Sequence, residues 1–305
     1  MPTPYFVMTH AQNGAEDLVE PLLGIYRNEL ERMLPQFEAL AMSAATEGQA
    51  RRASLIAAQI REEINRLNAA LQSGLTETQR LAMYRGSDAA RESVHVQSPL
   101  VMWDNAPLNA VQAAVKQNQG DTMQRMFRDI AKQTGEDVQK ILYSGITAGK
   151  NPRAVAREMH NTTMLSASRS EVIARTEQIR AFRVSSLENY HYNGIEHFQR
   201  LATKSLRTCP ACLALDGKMQ PTDELMAVHP MDRCTVIPIV PDAELPPMES
   251  AQDWFDRQSQ HNKRIILGPG GLAKHNAGVP LTDFATEEDD PDWGPTLRVT
   301  PNHRL

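Results

Sequence analysis

All three cysteines of this 305-residue chain fall between Cys209 and Cys234. Cys209-Pro210-Ala211-Cys212 places two thiols on one tight turn, and His229-Pro230-Met231-Asp232-Arg233-Cys234 brings an imidazole and a third thiol on another. Zinc takes four tetrahedral ligands, with Zn–S near ~2.3 Å and Zn–N near ~2.0–2.1 Å, and cysteines separated by two residues can reach one ion. Cys209, Cys212, His229 and Cys234 are therefore a candidate ligand set for structural Zn2+. Other chemistries use the same residue types. A redox dithiol needs a thiolate stabilised by a following helix N-terminus, and Leu213-Ala214-Leu215 leaves barely one turn before the Asp216-Gly217 breaker. A zinc deaminase carries H-x-E upstream of P-C-x-x-C; here Thr208 precedes Cys209 and no H-x-E lies upstream. Three reduced thiols packed in a small core are the remaining alternative.

The elements that would hold this cluster are short. Ile195 to Leu201 reads as a strand entering the knuckle, and Asp216-Gly217 as a tight turn returning the chain. Thr235-Val236-Ile237-Pro238-Ile239-Val240 is apolar and β-branched and reads as the strand that leaves it. So small a hairpin has little core, and a metal would act as its staple. Upstream, Ser168-Arg169-Ser170-Glu171 reads as a capping box opening a helix that runs to about Tyr192 and stops at Gly194. Arg169, Arg180 and Arg183 then share a helix face, either as a phosphate-contacting strip or as a solvated, salt-bridged surface.

The remainder reads largely as helix. Leu18, Leu22, Ile25, Leu30, Met33 and Phe37 form a rough apolar stripe interrupted by Pro35, and Ile56, Ile60, Ile64, Leu67 and Leu71 form a cleaner one. These stripes read as bundle core, with a docking surface for partner subunits as the alternative. Ser73-Gly74 reads as a helix stop and Thr76-Glu77-Thr78-Gln79 as a capping box opening the next helix. Residues 93–110, with Pro99 and Pro107, read as a linker. Met123, Met126, Phe127 and Ile130 resume a helical face, Thr134-Gly135-Glu136-Asp137 starts a short helix, and Asn151-Pro152 caps another. Ser250-Ala251-Gln252-Asp253 opens a last helix bearing Trp254 and Phe255. Gly268-Pro269-Gly270-Gly271 lacks the lysine of a P-loop and reads as a backbone turn.

Hydrophobic content of 41% and charged content of 23% fit a globular chain, and the 5% aromatic content with abundant Ala and Met leans towards helix. A net charge of −5 argues against general nucleic-acid binding, although residues 151–200 alone carry seven Arg against five Glu. No apolar run approaches the ~20 residues that span a bilayer, and no secretory signal is visible. Clustered cysteines suit a reducing cytoplasm better than a disulfide framework. The expected class is α+β: a predominantly α-helical N-terminal part with a small C-terminal β-hairpin-containing zinc-knuckle module.

Five segments in order carry a resemblance. They are Ser144 to Gly149, Ile173 to Glu177, Cys209 to Gly217, His229 to Cys234 and Trp254 to Gly268. Over roughly residues 121–285 the chain resembles the minor head, or head morphogenesis, proteins of tailed bacteriophages of the phage Mu protein F type. The resemblance implies a structural virion component and not an enzyme. It implies action in head morphogenesis, with a part in DNA packaging or delivery, and portal and major capsid proteins as partners. It places the protein in the phage head near the portal, and in the host cytoplasm during assembly. No membrane anchor and no small-molecule substrate is expected. Arg175 and Glu177 become candidate tethers between helix and knuckle, and Arg233 a candidate anchor for a carboxylate such as Glu177. One residue departs from the family. Its box often reads His-Pro-x-Cys-Arg-Cys, and Asp232 stands where the first of those cysteines would be. Asp232 is then an alternative oxygen ligand at ~2.0–2.2 Å, or the mark of a weakened or lost metal site.

The expected organisation is a helical docking region over 1–98, a helical connector over 99–165, a minor-head α+β domain with the Cys/His cluster over 166–285, and an acidic tail over 286–305. Two rival functions stay open. One is a virion-borne enzyme, a metal-dependent hydrolase or ADP-ribosyltransferase-like effector, for which no acid/base constellation is visible. The other is a DNA-binding accessory protein that contacts phosphates through Arg169, Arg180, Arg183, Lys204 and Arg207.

Overall fold

The structure, a computed structural model, describes residues 2–46, 49–119, 122–290 and 294–305. Pro291 and Asp292 of the acidic stretch, and the side chains of Ile56 and Ile146, lie outside the described residues. The elements run α1 (Pro4–Asp17), α2 (Glu20–Glu31), α3 (Leu34–Thr46), α4 (Gln49–His95), α5 (Leu108–Gln119), α6 (Thr122–Thr147) and α7 (Pro152–Tyr192). There follow β1 (His197–Leu201), α8 (Pro210–Ala214), β2 (Met219–Pro221), β3 (Thr235–Pro238), α9 (Ala251–Asp256), α10 (Gln260–Asn276), a 3-10 turn at Leu281–Phe284, β4 (Ala285–Asp290) and β5 (Gly294–Val299). The chain is 64% helical with small antiparallel sheets, an α+β protein. Among the described residues no helix is long and apolar enough to cross a membrane.

The chain divides into two compact units interleaved along the sequence. The first holds Met1–Glu16, Arg80–Gly120 and Ile179–Leu305; the second holds Asp17–Gln79 and Asp121–Gln178.

The second unit is a helical bundle. Ile60, Ile64, Leu67 and Leu71 of α4 are buried, as are Leu30, Met33 and Phe37, whereas Ile25 departs from its stripe and is exposed. Phe127, Val138 and Leu142 of α6 complete this core. Three expected helix starts are absent, because the hydroxyls that would cap instead donate to carbonyls of the preceding turn. Thr76 Oγ1 donates to Gln72 O at 3.1 Å, Thr134 Oγ1 to Ile130 O at 2.6 Å and Ser168 Oγ to Met164 O at 3.4 Å. The helices α4, α6 and α7 therefore run through these positions. Gly74 is not a stop either. A Cβ there would lie 2.6 Å from Leu22 Cδ1, so the missing side chain lets α2 and α4 approach closely.

The first unit packs the end of α7 against α1, the end of α4 and a three-stranded sheet. Gly86 of α4 sits against the Phe182 carbonyl of α7, and Ser185 Oγ donates to Met83 O at 2.6 Å. The sheet order is β2-β1-β3, all antiparallel, with Arg200 opposite Val236 and Gln199 opposite both Ile237 and Met219. Ile195 and Glu196 precede the paired part of β1, which begins at His197, and β3 ends at Pro238, where proline can no longer donate to a ladder. A separate apolar cluster of Leu213, Ala251, Trp254, Phe255, Ile266, Leu281 and Phe284 lies beneath α8. The stretch read as an acidic tail is a paired hairpin: β4 and β5 register Glu288 against Thr296, and Lys218 Nζ meets Glu287 at 2.7 Å.

Candidate metal centre

Each candidate ligand is placed by its local backbone. Cys209 is extended (φ −70, ψ 152) and caps the single turn α8, with Pro210 at the first helical position. Its Sγ accepts from Cys212 N at 3.3 Å, which sets both thiols on one side. Leu213 anchors that turn in the apolar cluster. The Asp216-Gly217 turn then forms as its residue types require, with Gly217 at φ 81 and its N donating to Arg200 O at 2.8 Å. On the second bend, Asp232 N donates to His229 O at 3.0 Å, and Met231 takes the left-handed conformation at φ 62. A side chain at positive φ costs roughly 1–3 kcal/mol, so surrounding contacts must hold this bend.

The two bends meet. His229 Nε2 lies 3.2 Å from Cys209 Sγ and 3.2 Å from Cys212 Sγ. His229 Nδ1 is 2.8 Å from Pro230 O, a partner that assigns the proton to Nδ1 and leaves Nε2 as a donor atom for a metal. The ligand atoms of Cys209, Cys212 and His229 lie within 4.8 Å of one another, as do those of Cys212, Asp232 and Cys234. A tetrahedral zinc site with the usual bond lengths separates its ligand atoms by about 3.5–3.8 Å. The cluster is thus of the right kind and close to the right size. A cavity of about 210 Å³ borders it, with Thr203, Ser205, Arg207, Cys209, His229 and Arg233 on its walls.

The thiols differ in character. Cys209 is held below the usual thiol range by its hydrogen bonds to the Cys212 side chain and backbone, which outweigh its burial. Cys212 is pushed up, first by its hydrogen bond to Cys209 and further by burial. Cys234 is pushed well up, first by its hydrogen bond to Cys212 and then by burial. A thiophilic ion would displace the protons from the two raised thiols, because thiolate and not thiol is the ligand.

Asp232 has a different set of neighbours. Its side chain is 1% exposed. Oδ1 accepts from Arg183 Nη2 at 3.1 Å and from Cys234 N at 2.5 Å, and Oδ2 accepts from Arg200 Nη2 at 3.1 Å. Burial alone would raise its carboxyl, but the Arg183 and Arg200 guanidinium groups hold it below the usual range. Arg200, fully buried, also points Nη2 at Cys212 Sγ (3.8 Å) and donates Nη1 to Ala227 O at 2.6 Å.

The remaining candidates are dispersed. Arg180 and Arg183 are buried, Arg169 and Arg207 are exposed, and Lys204 Nζ is held by Asp216 at 2.9 Å, so the five cations do not form one solvated phosphate strip. Arg175 has partners within its own unit. It pairs with Glu171 at 3.2 Å and with Glu20, joining α7 to α2. Glu177 is buried in the bundle unit, and the carboxylate that Arg233 meets is Glu16, at 3.9 Å. Arg200 was missed from the sequence, although it carried a signal. It follows the buried Phe198 by two residues on β1, and period-two alternation turns both to the same face.

Residues 136–237 match the family model described as Phage Mu protein F like protein. No curated protein and no solved structure gives a match. The matched segment runs from within α6 to β3 and includes every candidate ligand, while the Trp254 to Gly268 segment lies outside it. Over residues 136–237, the resemblance to the phage Mu protein F-like family is therefore established, and the sulfur–histidine cluster lies inside it.

Proposed function

We propose that the chain is a structural, non-enzymatic minor head protein of a tailed phage whose first unit is stapled by one zinc ion. The carrying observation is coincidence: the stretch that matches the phage family is the stretch that gathers Cys209, Cys212 and His229, with Cys234 beside Cys212. Cys209, Cys212, His229 and Cys234 would hold the ion, closing two bends that Arg200 of β1 already bridges through Cys212 Sγ and Asp232 Oδ2. Bound to the native state alone, it would stabilise folding by about 4 kcal/mol at ~1,000-fold excess over its Kd. Association with portal and major capsid proteins, a place in the virion after assembly in the host cytoplasm, and a part in DNA packaging or delivery belong to the same reading.

Two measurements test it. Elemental analysis of purified protein should find about one zinc per chain, lost in Cys209→Ser. A metal-free protein that melts at the same temperature with and without chelator would remove the staple. For the assembly role, mass spectrometry of purified heads should recover the chain together with portal protein. Heads that form normally and lack it would remove that role.

A further inference from the structure

A carboxylate oxygen of Asp232 lies within 4.8 Å of the Cys212 and Cys234 sulfurs, and carboxylate oxygen is an acceptable zinc ligand. The surrounding geometry assigns it other work. We propose that Asp232 is a positioning residue outside the metal's ligand set: a buried counter-ion that clamps Arg183 of α7 and Arg200 of β1, and so holds the His229–Cys234 bend against both elements. This proposal rests on the metal reading above for what Asp232 is excluded from, and on the ion-pair geometry for what it does.

Both carboxylate oxygens are already committed. Oδ1 serves Arg183 Nη2 and Cys234 N, and Oδ2 serves Arg200 Nη2. To turn Oδ1 onto a cation would strip a charged hydrogen bond from Arg183, and a cation on the remaining lone pair of Oδ2 would crowd the Arg200 guanidinium, with almost no water to screen either charge, since the Arg183 and Arg200 side chains are 6% and 0% exposed. An arginine left buried without its counter-charge is among the costlier defects a fold can carry. A thiol at this place would offer one soft acceptor to two guanidinium groups, whereas a carboxylate offers two hard ones in the right plane. The arginines thus explain the residue type. Arg183 also donates to Asp232 O at 2.9 Å, so the clamp grips backbone as well as side chain and holds the bend in which Met231 takes positive φ.

The clamp also reaches the candidate ligands. The Cys234 N–H is fixed by Oδ1, which orients the third thiol, and Arg200 Nη2 lies between Asp232 Oδ2 and Cys212 Sγ. Three thiolates and an imidazole around a divalent ion carry a net charge of about −1, which a guanidinium beside one sulfur offsets. The donors that remain are Cys209, Cys212 and His229, within 4.8 Å of one another, and Cys234, within 4.8 Å of Cys212.

Cobalt(II) substitution separates the two roles, because thiolate-to-cobalt charge transfer reports how many sulfurs bind and ligand-field bands report the coordination number. Asp232→Asn should keep the Co2+ stoichiometry, the number of bound sulfurs and the coordination number that the bands report, at a weaker Co2+ affinity, while lowering the melting temperature of chelator-treated protein by roughly 6–20 °C. Cys234→Ser should lose about a third of the charge-transfer intensity. If Asp232→Asn does not fold, Arg183→Gln gives the same reading: unchanged cobalt bands and a lowered metal-free melting temperature. In Asp232→Asn/Arg183→Gln the two destabilisations should be less than additive. Altered cobalt bands in Asp232→Asn, with no change in the metal-free melting temperature, would overturn the proposal. If the native chain takes up no Co2+, the metal reading falls, and the clamp stands or falls on the chelator-treated melting temperatures alone.

Discussion

Tyr190 is fully buried in the first unit, with its hydroxyl 3.0 Å from Ser93 Oγ and 3.3 Å from Met8 Sδ. Burial pushes that hydroxyl far above the ordinary tyrosine range, and the Ser93 hydrogen bond only partly offsets it. Below about pH 10 both folded and unfolded chains keep the proton, and the group adds no pH dependence. Above it the unfolded chain releases a proton that the native state retains, so stability falls as pH rises. Tyr190→Phe should flatten this alkaline loss, at a cost near neutrality of about 0.5–1.5 kcal/mol for the missing hydrogen bond. Denaturant midpoints measured from about pH 8 to pH 11 for both proteins check it, and parallel curves would contradict it. Some single residues were legible in sequence and some were not. The CxxC and the His–Cys box announced themselves by spacing. Arg183 reads in sequence as part of a phosphate-contacting strip or of a solvated, salt-bridged face, and nothing in its neighbours along the chain reveals that it pairs, buried, with Asp232, 49 residues away.

Helix starts were legible only where the upstream chain is barred from helix. Ser250 caps α9, accepting from Asp253 N at 3.0 Å, after Pro246-Pro247. Asn151 caps α7, accepting from Arg153 N at 2.9 Å, after Gly149 at φ 61. Thr76, Thr134 and Ser168 follow helix-competent residues, so their hydroxyls fold back on the helix already running. The same contrast applies to glycines. Gly24→Ala, with nothing within 4 Å of the added Cβ, should stabilise by about 1 kcal/mol through helix propensity. Gly86→Ala should destabilise by roughly 1–3 kcal/mol despite that gain, because its Cβ meets the Phe182 carbonyl, a backbone atom that cannot rotate away. Urea unfolding of the pair checks the signs. Equal shifts would mean that α4 and α7 do not approach as closely as described.

The whole chain has two units whose cores are built differently. The bundle unit rests on apolar helix faces such as Ile60, Ile64 and Leu67, with Phe127 and Leu142. The other places a three-stranded sheet and the thiol cluster at the end of a long helix. Chelation should therefore act selectively. Amide exchange at Arg200, Cys212 and Val236 should accelerate, while protection at Phe127 and Leu142 is retained. Uniform acceleration would show that the metal does not staple the first unit in particular. At this scale the α+β class was readable from composition and periodicity, and the interleaving was not. Units that exchange stretches along the chain have no linker of distinctive composition to mark them.

Sequence by itself determined what adjacent residues settle: the thiol spacing, the turn at Asp216-Gly217, the caps at Asn151 and Ser250, and the strand that follows Cys234. Tertiary structure alone decided which side chains lose water. Desolvation depends on everything that packs around a group, and it buries Asp232, read from sequence as an alternative ligand or the mark of a lost metal site, as a counter-ion between arginines from a helix and a strand.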